Sequence, residues 1–241
     1  MSGTFFVVGV GPGDPELLTL KAARVIGAAP VVAWFAKAGR AGHAHRTACG
    51  MIAPAAERLA FDYPFTTEID AGSEHYRTEM AAFYDVCAGH CAQRLESGRD
   101  IALLCEGDPF FYGSAMYLFD RLGPRFPTDI VPGITGMSGC WSRAMLPMAH
   151  GDDTFIVLPG TLDEDTLSRR LLGDHAAVVM KLGRNMPKVR AALDRAGRAD
   201  RAVCVVQGTM AGERIMPLCE VNGAEIPYFA MVLVPGRAAS R

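Results

Sequence analysis

The chain has 241 residues, with 24 Lys+Arg against 26 Asp+Glu, a formal net charge of −2, and half of its residues hydrophobic. That length supports one large core or two of about half the size, and the near balance of charge argues against a general nucleic-acid surface. No apolar run reaches the ~18 residues of a membrane span, and the sequence enters an apolar run without a basic-then-apolar leader, so neither membrane insertion nor export is expected.

In chain order, an apolar run at residues 5–8 reads as a buried strand that ends in GVGPGDP, residues 9–15. Asp followed by Pro is a good helix start, because the carboxylate caps free N–H groups and proline suits the first helical position. A second strand is expected at 31–35. A helix follows at about 73–95, with Met80, Phe83, Tyr84, Cys87 and Cys91 at helical spacing, a stripe read as core. The third strand, 101–105, runs into CEGDP, which repeats the Gly-Asp-Pro triplet at Gly107-Asp108-Pro109. A helix at 114–122 is stopped by Gly123-Pro124, and the Gly/Pro cluster through Pro127 reads as the linker between a domain at 1–122 and another at 123–241.

The second half changes rhythm. A short strand at 129–131 precedes PGITG (132–136) and a helix of small residues at 137–145. Strands recur at 154–158, 178–180, 203–206 and 228–234, and the last runs look hairpin-like. Alternating strands and helices favour two α/β domains, the first mostly parallel and the second with a mixed sheet.

Two strand-end turns with the same triplet suggest two walls of one ligand site. Such turns often hold a dinucleotide pyrophosphate at a helix N-terminus. Here the spacing Gly9-x-Gly11-x-Gly13-Asp14 departs from G-x-G-x-x-G, and Pro12 removes an N–H from the turn. Asp14, if ionised and facing the site, repels a phosphate at about 4 Å by roughly 4 kcal/mol, against about 0.3–1 kcal/mol of attraction from a helix dipole. The next strand runs into Ala36-Lys37 and lacks the acid that holds a ribose. A plain helix-capped turn is the competing reading. Seven cysteines, an odd number with no C-x-x-C pair, indicate reduced thiols and a cytoplasmic protein. Cys87, His90 and Cys91 lack the spacing of a metal site, and no metal is expected.

VGVGPGDPELLTLKA, CEGDPFFYGSAMYL, VPGITGMSG, LPMAHGDDTFIVLPG and VVMKLG occur here in the order seen in the tetrapyrrole (corrin/porphyrin) methyltransferases, which the chain resembles over nearly its whole length. Within that family, AWFAKAGRAGHAHRTA (33–48), FDYPFTTE (61–68) and the Glu106 variant of the second motif look most like the branch that methylates C-20 of precorrin-2 in cobalamin synthesis. The resemblance implies two α/β domains, a homodimer, and S-adenosylmethionine in a cleft between the domains, leaving as S-adenosylhomocysteine. By motif position it implies cofactor contacts from Pro12, Glu106, Gly107, Asp108, Phe111, Thr135, Gly136, Leu182 and Gly208. The last two rest on a looser alignment, and each position has a plain alternative: Thr135 as a helix cap, Leu182 as core.

A cationic sulfonium without phosphate suits acidic turns. Such a donor needs no protein nucleophile, and orientation alone supplies on the order of 7–11 kcal/mol. Replacing the hydrogen at C-20 releases a proton, for which Glu106, Asp108, His43 and His45 are candidate acceptors, none assigned. The acceptor implied by the resemblance carries about eight carboxylates. The segment Lys37, Arg40, His43, His45, Arg46 fits them, because guanidinium forks match carboxylates, although such runs are often plain solvated loops. Lys37, Arg40 and Arg46 are the substrate-binding candidates, with Arg77 and Lys181 secondary. Competing readings are a relative acting on cobalt-precorrin-2, another corrin carbon, a ribosomal RNA ribose or a diphthamide side chain; a nicotinamide-dependent oxidoreductase; and a tetrapyrrole-binding module without catalysis.

Overall fold

Continuous apolar runs become the central strands of two sheets. The structure, a computed structural model, describes residues 1–65, 73–222 and 226–236, and the chain divides into two units, Met1–Gly136 and Met137–Arg241.

In the first unit β1 (Phe5–Gly9), β2 (Val31–Lys37), β3 (Glu57–Tyr63), β4 (Ile101–Cys105) and β5 (Thr128–Val131) form a parallel sheet in the order β3-β2-β4-β1-β5. Helices cover both faces, which is why its inner strands read as unbroken hydrophobic runs. Phe5, Val7, Ala33, Phe35 and Leu103 face α3 (Glu74–Glu96) and α4 (Ala115–Leu122). Their alternates Val8, Val32, Trp34, Ala102 and Leu104 face α1 (Leu20–Ala28) and α2 (His43–Ala48). The expected stripe on α3 is buried at Met80, Tyr84, Cys87 and Cys91 and half-buried at Phe83, with Leu95 buried beyond it, and burial pushes the Cys87 and Cys91 thiols up to about 12. Among the described residues no group of His, Cys, Asp or Glu is placed to hold a metal ion.

The second unit holds β6 (Phe155–Pro159), β7 (Ala176–Met180), β8 (Val203–Val206), β9 (Arg214–Pro217) and β10 (Ala230–Val234). Their order is β6-β7-β10-β8-β9. β6 and β7 are parallel, β10 runs antiparallel to β7 and β8, and β8 and β9 are antiparallel, so the sheet is mixed as expected. One face packs on α6 (Glu164–Leu171) and α7 (Met186–Arg195) through Leu167, Leu171, Val189 and Leu193. The other meets α5 (Gly136–Arg143) through Cys140 and the half-buried Trp141.

Three expectations are corrected. The boundary lies after Gly136 rather than after 122, because β5 pairs with β1 over four residues and Phe126, in the supposed linker, belongs to the first core. Two strands are added, β3 and β9. Both are edge strands with half-exposed, charge-bearing sequences (ERLAFDY and RIMP) that lack an apolar run. Neither Gly-Asp-Pro triplet opens an α-helix directly: the first starts a single 3-10 turn at Pro15–Leu17, and the second leads into turns before α4. Residues 66–68 of the FDYPFTTE segment lie outside the described residues. No helix among the described residues is long and apolar enough to cross a membrane.

Candidate functional site

In the first unit β1 and β4 lie side by side, yet the chain leaves β1 towards α1 on one face and β4 towards α4 on the other. The carboxyl ends of such a pair form a switch point, the usual ligand position in open α/β sheets. Both triplet turns sit there. The Gly11 N–H donates to the Gly107 carbonyl (3.3 Å) and the Gly107 N–H to the Gly11 carbonyl (2.8 Å). PGITG, after β5, closes on the same point. A Cβ on Gly133 would lie 2.1 Å from the Gly107 oxygen, and one on Gly9 would lie 2.6 Å from it, so three strand ends approach as only glycines allow. Gly107 itself has φ +66°, and a Cβ there would lie 3.4 Å from Gly136 N and 3.7 Å from the Thr135 Cα.

Asp108 ties these turns together. Its Oδ1 accepts from Phe110 N (3.0 Å) and its Oδ2 from Gly133 N (3.1 Å). Asp14 accepts from Glu16 N at 2.9 Å. The structure thus brings Pro12, Gly107, Asp108, Thr135 and Gly136 to one end of one sheet. Phe111 is half-buried with its N–H on the Asp108 carbonyl (3.2 Å) and its ring edge-on to Tyr112. Tyr112 holds φ +56°, a conformation that costs a non-glycine residue of order 1–3 kcal/mol.

The basic segment, expected as a loop, folds its second half into α2. Lys37 ends β2 exposed, and Arg40 and Arg46 are also exposed. Glu106, next to the triplet, accepts from Ala44 N at 3.1 Å, and the Thr47 hydroxyl donates to His43 O (3.0 Å) and, longer, to Gly13 O (3.5 Å). The cation-bearing helix is therefore fastened to both glycine turns. Burial raises the Glu106 carboxyl above the usual carboxylate range, with Arg46 acting weakly the other way. His43 Nδ1 lies 2.7 Å from an Arg46 nitrogen. Burial first, then Arg46 and Arg40, push its pKa down to about 4. His45 packs on Trp34 with the rings tilted by 30° and their centroids 4.2 Å apart.

Leu182 and Gly208 belong to the second unit, after β7 and β8. Leu182 is 1% exposed within the second core, which is its plain role as a core residue. Gly208 packs on α5: a Cβ there would lie 2.8 Å from Cys140 Sγ. Non-glycine residues with positive φ flank both, Lys181 (+59°), Gln207 (+49°) and Thr209 (+68°). Burial lowers the Lys181 pKa. Arg77 lies exposed on α3 in the first unit. Sequence reasoning missed Glu213, which accepts from Thr209 N (2.7 Å) and from Arg143 Nε through both oxygens (2.9 and 3.0 Å). Arg143 holds its carboxyl below the usual range. The only signal available was an acid a few residues after a strand-end glycine.

A family model described as tetrapyrrole (corrin/porphyrin) methylases matches residues 4–221. The chain is 51% identical over 234 residues to a precorrin-2 C(20)-methyltransferase of Sinorhizobium sp, covering 97% of this chain and 96% of that one. It is 28% identical over 239 residues to a cobalt-precorrin-2 C(20)-methyltransferase of Salmonella typhimurium, covering 97% of each. A solved cobalt precorrin-4 methyltransferase matches with a TM-score of 0.73 over 96% of this chain and 94% of that one, at 22% identity, a likeness that speaks for the fold alone. The chain belongs to the tetrapyrrole (corrin/porphyrin) methylases.

Proposed function

We propose that this protein transfers a methyl group from S-adenosylmethionine to C-20 of metal-free precorrin-2, giving precorrin-3A and S-adenosylhomocysteine. The observation that carries it is the switch point: glycine turns whose nearby N–H groups are taken by Asp14 and Asp108, joined to a cation-bearing helix. The donor set fits a cationic cofactor, and Gly107 lies against the Thr135–Gly136 backbone at the same point. When bound, the cofactor supplies a methyl group activated by its sulfonium.

Pro12, Glu106, Gly107, Asp108, Phe111, Thr135 and Gly136 are the proposed cofactor contacts in the first unit, and Leu182 and Gly208 are included on motif position alone. Lys37, Arg40 and Arg46 hold acceptor carboxylates. The residues orient rather than attack, and the displaced C-20 proton leaves as the new carbon–carbon bond forms. As proton acceptors, Asp108 has both oxygens on backbone N–H groups and His43 is a weak base beside Arg46. The metal-free acceptor is preferred because identity is higher to the precorrin-2 enzyme than to its cobalt counterpart. Seven free cysteines support a cytoplasmic setting. A homodimer is proposed on family membership, to be read by sedimentation.

The test is calorimetric titration with S-adenosylhomocysteine, beside turnover of labelled S-adenosylmethionine with metal-free and cobalt-loaded precorrin-2. Micromolar binding with faster transfer to the metal-free acceptor is expected. Preference for the cobalt form would move the protein to that branch, and a product methylated elsewhere would change the carbon. Absence of binding by folded protein would overturn the cofactor reading, and a nucleotide-dependent absorbance change would replace it with a nicotinamide chemistry.

A further inference from the structure

Helix α2 cannot hold its own position. At six residues it is far below the length at which a helix is stable alone. Its N-cap, Gly42, has φ +74° and a backbone so close to β2 that a Cβ would lie 2.7 Å from Phe35 O. Glycine is forced there, and glycine brings no capping side chain. The missing cap arrives from 62 residues away, as the Glu106 carboxylate on Ala44 N.

We propose that Glu106 is a positioning residue, which caps α2 from the end of β4 and thereby sets where His43 and Arg46 stand relative to the Gly11–Gly107 turn pair. The proposal rests on the reading that this segment receives the acceptor. It gives Glu106 a role other than proton acceptor, since one of its oxygens is committed to a main-chain N–H. It also explains how one side chain links the two functions of the first unit. The residue that follows Glu106 is the glycine of the cofactor turn, and the helix it caps carries Arg46. Thr47 adds a second, weaker fastening through Gly13 O.

The variants are Glu106→Ala, Glu106→Gln and Thr47→Val. A glutamine oxygen accepts the same N–H, so it replaces a cap but cannot replace a base. E106A is expected to raise KM for precorrin-2 by about tenfold, the size of a lost N-cap. Because Glu106 is also a proposed cofactor contact, S-adenosylhomocysteine affinity is titrated separately in each variant and KM for precorrin-2 is compared at saturating cofactor. E106Q should restore most of the KM. Amide hydrogen exchange over residues 44–48 should speed up in E106A and return to the parent rate in E106Q, a readout independent of which tetrapyrrole is the acceptor. T47V, which leaves Glu106 untouched, should raise KM by a smaller factor. Loss of kcat in E106Q as deep as in E106A would overturn the proposal in favour of a proton-transfer role. Unchanged exchange in E106A would overturn it outright, and if E106A does not fold, unchanged KM in T47V would do the same. If the parent turns over no precorrin-2 while exchange responds as stated, the functional reading fails and the positioning role stands.

Discussion

Gly133→Ala isolates the convergence of three strand ends, because the clash it creates is entirely with backbone. The new Cβ would lie 2.1 Å from Gly107 O, 2.9 Å from Gly9 Cα and 3.0 Å from Gly9 C. A carbon and a carbonyl oxygen rest no closer than about 3.3 Å, so the turns must part by about 1 Å. The bonds there span 2.8 Å and 3.3 Å between Gly11 and Gly107, and 3.1 Å between Asp108 and Gly133 N. A separation of that size breaks at least one of them. Overpacking costs about 1–3 kcal/mol and a hydrogen bond to a charged group about 1.5–3 kcal/mol. With some relaxation, a loss of about 3 kcal/mol lowers Tm by roughly 6–12 °C. A 1 Å displacement of a positioning turn can cost on the order of 100-fold in activity. Thermal unfolding and titration with S-adenosylhomocysteine read the two effects separately. Gly50→Ala is the control, since a Cβ there meets nothing within 4 Å and its φ is not positive. If G133A melts with the parent and binds the cofactor product as tightly, these turns neither touch as described nor form the cofactor wall.

Arg40→Ala with Arg46→Ala should raise KM for the tetrapyrrole by about tenfold or more and leave S-adenosylhomocysteine affinity alone; equal loss of both in calorimetry would mean misfolding or a solvated segment. Gly208→Ala places a Cβ 2.8 Å from Cys140 Sγ and 3.2 Å from its Cα and should cost about 1–3 kcal/mol. Adding Cys140→Ala should recover part of that, and additive losses in a double-mutant cycle of Tm values would refute the contact. Glu57, bonded by Arg94 at 2.7 Å and also by Arg99, is held below its ordinary value of 4.5, chiefly by those hydrogen bonds. A folded value below the unfolded one means that its contribution is complete above about 4.5 and fades as pH falls through the lowered folded value. Glu57→Gln should therefore cost about 1 kcal/mol at pH 7 and progressively less in acid. Urea melts at both pH values check this, and a pH-independent difference would count against the ion pairs.

What could be read from the residues follows from how each element is buried. Strands β1, β2 and β4 are covered on both faces, so their apolar runs leave no other reading, and the stripe on α3 is set by one buried face. β3 and β9 escaped because an edge strand pairs on one side only and tolerates Glu57, Asp62 or Arg214 within its span. The Gly/Pro cluster after α4 looked like a linker because proline and glycine mark chain reversal equally well within a domain, and only the pairing of Thr128 with Phe5 tells the two apart. At the site, Gly107 and Gly133 were readable as glycines but their mutual contact was not, since it depends on strand order. Nor could a sequence reveal that Lys181, Gln207 and Thr209 adopt a glycine-like backbone. Glu106 was singled out for its charge, yet its observed partner is a main-chain N–H, which no charge pattern encodes.

The same limit changes the reason for excluding phosphate. From the residues alone, Asp14 repels an anion through space. In the structure Asp14 and Asp108 spend their oxygens on Glu16 N, Phe110 N and Gly133 N. Backbone N–H groups at a strand-end turn are the donors a phosphate requires, and here two tethered carboxylates already hold three of them, while Pro12 supplies none. An incoming phosphate would have to displace an intramolecular partner and then sit beside it. Saturation of donors and repulsion therefore act together, with saturation the stronger because it persists when charge is screened. A ligand at these turns finds carbonyl oxygens and close van der Waals approach among its means of recognition. Both favour a cation with a flat, compact body over a dinucleotide, and both depend on the glycines rather than on the acids. For this reason substitution at Gly133 should damage binding more than neutralising Asp14, whose single bond to Glu16 N shapes only the 3-10 turn that follows.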